Sequence, residues 1–153
     1  MRRIRTARRC TSTSVALLLM FAGCGGKARP VAYTDLTAKA GPLEFTHITV
    51  DVEHTRSQLL GVLARNNPGR KIQLPPIDYT RQETFVVAGG PRSSTGYALE
   101  IVRVQEKGGH ISVVVRERTP SLGEPVQVRV TYPFRLLVLD SNKPVHLKWL
   151  GRP

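Results

Sequence analysis

The amino-acid sequence predicts a mainly β fold, a small antiparallel β-sandwich or barrel with one short helix towards its N-terminal side. Three observations predict it. From residue 84 onward, short apolar segments follow one another closely, with Gly and Pro between them. Gly108-Gly109 stands between two such segments, and two adjacent glycines supply the positive φ angles that a tight antiparallel hairpin requires. The stretches VQVRVTY (126–132) and VHLKWL (145–150) alternate apolar and polar residues, the period of a strand with one buried face.

The elements follow in order. Residues 43–52 (LEFTHITVDV) alternate, with a slip between Phe45 and Ile48 that a bulge accommodates, and give a first strand. Thr55-Arg-Ser-Gln58 has capping-box spacing, Leu59, Leu60 and Leu63 are expected on one face, and Asn66-Asn67-Pro68-Gly69 ends the helix. After the proline-punctuated LPPIDYT segment, strands are predicted at 84–88, 97–105, 110–117, 126–132, 134–140 and 145–150. Val126, Val128, Val130 and Tyr132 are expected on a buried face. Val145, Leu147 and Trp149 are expected to do the same at the end of the chain, which places the only tryptophan in the core.

The start of the chain reads as an export signal. Arg2, Arg3, Arg5, Arg8 and Arg9 precede an apolar stretch from 15 to 22, with no acid before Asp35. That stretch is much shorter than the ~20 residues of a membrane-spanning helix. Phe21-Ala22-Gly23-Cys24 at its end resembles the bacterial lipobox. The resemblance implies a lipoprotein: residues 1–23 are a signal peptide that is removed, and Cys24 carries diacylglycerol, whose two acyl chains, such as palmitate, give stable anchoring. The chain is then held outside the cytoplasmic membrane, at the cell envelope. Residues 24–42, rich in Gly, Ala, Thr and Pro, are expected to be a flexible tether, and 43–153 a single domain. With Cys10 gone and Cys24 alkylated, no thiol remains for a disulfide, a zinc site or a nucleophile. Removing five of the 23 basic residues leaves 18 against 11 acids, a net charge of +7. Its natural counterparts at a membrane surface are anionic lipid or wall polymer. Nucleic acid is not an expected partner, because no basic stretch is interleaved with stacking aromatics.

Constellations for chemistry are missing. His47, His54, His110 and His146 have no spacing that puts two on one face as metal ligands, so neither metal nor cofactor is expected. Glu100, Glu106, Glu117 and Glu124 are spread along the chain, and Ser93, Ser94 and Ser121 lie outside any G-x-S-x-G elbow. The expectation is therefore a protein that is not an enzyme. The distinctive segment is Gly89-Gly90-Pro91-Arg92-Ser93-Ser94-Thr95-Gly96-Tyr97, which sets glycines, hydroxyls and a cation between two strands. Arg92, Ser93, Ser94, Thr95 and Gly96, with Pro120, Ser121 and Gly123 of a second loop, are the candidate partner-binding residues. Tyr97 is expected to point inward as its strand begins.

Residues 75–150 resemble the C-terminal domain of the protease-complex subunit PrcB. The resemblance rests on PPIDYTRQETFVVAGGPRSSTGYALEIVRV, VVVRERTP, VTYPFRLLVL and KPVHLKW, in that order. The Ser-Ser-Thr-Gly-Tyr element has one glycine where many members have two. What this resemblance implies is a noncatalytic accessory protein of the cell envelope, associated with an extracytoplasmic protease. The Thr95-Gly96-Tyr97 loop also resembles that of chagasin-type cysteine protease inhibitors, which are immunoglobulin-like sandwiches, and this implies an inhibitory contact. The basic balance points instead to a module for anionic lipid or cell-wall polymer.

Overall fold

The computed structural model describes residues 27–67 and 69–151. At its centre is the run ETFVVAG, strand β4 (Glu83–Gly89), in which all seven residues are buried. Phe85 and Val87 face one core while Val86 and Ala88 face another, because a strand sends successive side chains to opposite sides. Strand β9 (Phe134–Leu139) divides in the same way, with Leu136 and Val138 on one side and Leu137 and Leu139 on the other. Apolar residues on both faces put this sheet in the middle of the molecule. Strands β2 (Tyr33–Asp35), β9, β4 and β3 (Ile48–Glu53) form it in that order, all antiparallel.

A second sheet covers one face. It contains β1 (Arg29–Pro30), β6 (Ala98–Lys107), β7 (His110–Arg118) and β10 (Val145–Leu150), and it contributes Leu99, Val104, Ile111, Val113 and Val115 to the shared core. Helices α1 (Thr37–Ala40) and α2 (Arg56–Arg65) cover the other face with Leu36, Ala40, Leu59, Val62 and Leu63. The sheets are open, so the sandwich is the form the β fold takes, not the barrel. A third, two-stranded sheet joins β5 (Arg92–Ser94) to β8 (Val128–Thr131).

Several expectations hold in detail. Gly108 (φ 60°) and Gly109 (φ 81°) turn between the paired residues Lys107 and His110, as the hairpin required. Val145, Leu147 and Trp149 are half-buried against the core between the two large sheets, with His146 and Lys148 exposed. The Thr55 hydroxyl caps α2 by accepting from the Gln58 N–H (3.2 Å), while Gln58 Oε1 accepts from the His54 N–H (3.0 Å). Thr55→Ala is expected to cost about 1 kcal/mol, seen as a lower urea midpoint at unchanged slope.

Other expectations need correction. Residues 29–40 are not a free tether: they add an edge strand to each large sheet and a short helix. The Leu36 N–H donates to the Leu136 carbonyl (2.8 Å), the Asp140 N–H to the Ala32 carbonyl (3.0 Å), and Leu36 and Ala40 are buried. Main-chain bonds hold this segment, so its apolar-poor composition does not reveal it. On α2 the buried face is Leu59, Val62 and Leu63, with Leu60 42% exposed, since a step of one residue turns a helix by about 100°. Strand β10 runs parallel to β7, not antiparallel, because the chain passes through the ribbon and the central sheet before returning. His110 and His146 do share a face, with rings stacked 4.6 Å apart. The largest departure is β8. Val126, Val128 and Val130 are 40%, 92% and 59% exposed, because β8 pairs with β5 alone and no layer covers the ribbon. Residues 1–23 and the lipidation residue Cys24 lie outside the described residues. Among the described residues, no helix is long and apolar enough to cross a membrane.

Candidate functional site

The ribbon begins at Arg92. Its guanidinium makes a two-pronged ion pair with Glu117 of β7 (Nε to Oε1 2.5 Å, Nη2 to Oε2 2.9 Å) and donates to the Pro91 carbonyl (2.9 Å). It also lies 5.9 Å over the Tyr97 ring. Hydrogen bonding to Glu117 raises its already high pKa, so the cation is fixed in the charged form. Thr95 then ties the two strands together: its N–H donates to the Gln127 carbonyl (3.0 Å) and its hydroxyl accepts from the Gln127 N–H (2.9 Å). The Thr131 hydroxyl donates to the Ser94 carbonyl (2.8 Å).

Gly96 joins the ribbon to the second loop. Its carbonyl accepts from Arg118 Nη1 (2.8 Å), and Nη2 of the same arginine grips both oxygens of Glu124 (2.7 and 2.8 Å). Glu124 also accepts from the Ser121 N–H (3.0 Å). That backbone bond first, and Arg118 second, hold its pKa below the ordinary carboxylate value. The segments 92–96 and 120–123, proposed together from the sequence, are therefore neighbours in space.

Their division of labour differs from the one expected. Arg92, Thr95 and Gly96 are committed to internal bonds and shape the ribbon, and Pro120 packs where a Cβ on Gly96 would sit. Ser94 is half-buried, while Ser93, Ser121 and Gly123 are exposed. The apolar surface comes from residues that the sequence reading assigned to a core or passed over: Leu122, fully exposed, with Val126, Val128 and Val130. One signal for Leu122 was present, a lone large apolar residue in the Pro- and Gly-rich loop TPSLGEP. Exposed apolar residues scattered singly are ordinary, whereas Val126, Val128 and Val130 alternate along one extended segment and so share a face.

Next to the ribbon is a shallow cleft of about 440 Å³, lined by Tyr97, Leu99, Tyr132, Pro133, Phe134 and Pro42 among others. Tyr97 is half-buried and faces this cleft instead of closing into the core. A carboxylate and a histidine do meet elsewhere, Glu83 and His54 at 3.4 Å, but neither lines the cleft. Among the described residues, no three His, Cys, Asp or Glu side chains gather to hold a metal.

Two open sheets with an added two-stranded ribbon define a small β domain with a partly apolar exposed face. Within it, residues 84–140 match the family model described as PrcB C-terminal, the family that the motifs of this segment resemble. The matched segment runs from the second residue of β4 past the end of β9 and includes both strands of the ribbon. Neither the curated proteins nor the solved structures give a match.

Proposed function

We propose that the protein is a noncatalytic accessory subunit, lipid-anchored at Cys24 on the outer face of the membrane, that presents its β5–β8 ribbon to a protein of an extracytoplasmic protease complex. The observation that carries this reading is the exposure of Val126, Val128 and Val130 along the ribbon and of Leu122 in the loop before it, with ribbon and loop tied to β7 by the Arg92–Glu117 and Arg118–Glu124 pairs. The match of residues 84–140 to the PrcB C-terminal family model supports a protease-complex partner. The test places a photo-crosslinking residue at Ser93, which is exposed beside the valines, in cells that make the full chain. The expected result is a cross-link to an exported protease or its subunit that Val128→Asp removes without lowering the melting temperature. The same cross-links from Lys71, remote in sequence and exposed, would overturn the reading.

A second reading has its own observation. Arg103 and Lys148 flank Val114 in the register of the outer sheet and are both exposed, which makes part of that face basic. Binding to anionic vesicles that falls steeply with salt, and that Arg103→Glu with Lys148→Glu abolishes, would assign the function to this face.

A further inference from the structure

Among the described residues, β8 has a single strand neighbour, β5, so its other edge carries backbone N–H and C=O groups with no strand partner. Proteins usually blunt such an edge with lysine, proline, a bulge or a covering loop, because a free edge is a template for another strand. Here the edge carries Val126, Val128 and Val130. Pro125 and Pro133 bracket it. Since proline has no N–H to donate, pairing is confined to 126–132, a window of about 20 Å.

Charge selects the occupant. The neighbouring acids are already engaged, Glu117 with Arg92, Glu124 with Arg118 and Glu100 with Arg116. Arg129 is exposed and pairs with no acid among the described residues. Directly opposed residues of paired strands share a face, so an added strand would set apolar side chains beside Val128 and Val130 and an acid beside Arg129. A second copy of the chain fits less well. Two strands of this length fall short of the ~1,200 Å² that a stable dimer buries, and the copies would bring together chains that each keep a net charge of +7 after residues 1–23 are removed.

We infer that the free edge of β8 captures an extended segment of a partner protein in which apolar and acidic residues alternate, extending the ribbon by one strand. This inference rests on the protein-binding reading above and specifies its mode. Main-chain bonds supply the attachment and the alternating side chains the selectivity. Anchoring on the same membrane as the partner raises the effective concentration, so a short strand suffices.

The test titrates the full chain, in detergent, with three ten-residue synthetic peptides: one alternating valine and glutamate, one alternating valine and lysine, and a scramble of the first. The glutamate peptide is expected to slow amide exchange within 126–131 and to bind about tenfold or more tightly than the lysine peptide. Arg129→Glu, an exposed substitution that leaves the core intact, is expected to reverse that preference. Equal binding of all three peptides, protection outside the ribbon, or a dimer formed through 126–131 without peptide would each overturn the inference. Envelope cross-links that survive with no peptide preference would remove strand pairing but leave the binding face. Loss of those cross-links with the preference intact would do the opposite.

Discussion

Glu83→Met is expected to stabilise the protein by about 1 to 3 kcal/mol at neutral pH, with a gain that grows as pH rises. Glu83 is fully buried, and neither of its carboxylate oxygens has a hydrogen-bond partner. Its one counter-charge is the exposed His54, 3.4 Å away. Burial raises its pKa, and His54 offsets only part of that. Since the folded-state pKa lies above the unfolded value of about 4.3, the native state keeps a proton that the unfolded chain has released. Stability therefore falls as pH rises from about 4.3 through the native pKa, and levels off above it. Methionine has a similar length and no charge, so it removes that loss. Glu53 is also buried, and its pKa is raised chiefly by burial and then by Asp51, so both proteins retain the slope it contributes. The measurement is the urea midpoint of both proteins between pH 4 and 8. Parallel curves would show that Glu83 is not the source of the slope.

How much of this was legible in the sequence depends on what each residue needed to know about its surroundings. The run from Thr84 to Ala88 could be read as a strand because its own composition carries the signal, and Gly108-Gly109 could be read as a turn because backbone conformation is local. Thr55 and Gln58 cap α2 across three residues, again within local reach. Val128 shows the limit. Alternation establishes that a strand has two unlike faces, but whether another layer covers the apolar one is decided by distant residues. Arg92 shows it from the opposite direction, since nothing in its loop indicates that Glu117, 25 residues later, takes up the cation. The two candidate loops are thus neighbours in the fold, while which of their residues are tied up internally and which stay exposed depends on partners distant in the sequence.

Gly96→Ala is expected to destabilise the fold by about 2 to 4 kcal/mol and to release the ribbon's contact surface. Two costs combine. Gly96 has φ +93°, where an L side chain is strained, and a Cβ there would sit 2.9 Å from the Pro120 Cβ and 3.2 Å from the Val126 Cγ1. Neither neighbour is the end of a flexible side chain, so relief requires moving the 120–126 loop away from the ribbon. That movement pulls Glu124 from Arg118, whose other bond goes to the Gly96 carbonyl, and it displaces the apolar patch. Gly123→Ala separates the two costs. Gly123 also has a positive φ, +82°, but nothing lies within 4 Å of its added Cβ, so it should lose only the backbone component of about 1 to 2 kcal/mol and keep its cross-link from Ser93. Equal losses for the two variants would mean that Gly96 is required for its backbone alone. A larger loss at Gly96, together with loss of the cross-link, assigns it the closure between ribbon and loop on which the contact surface depends.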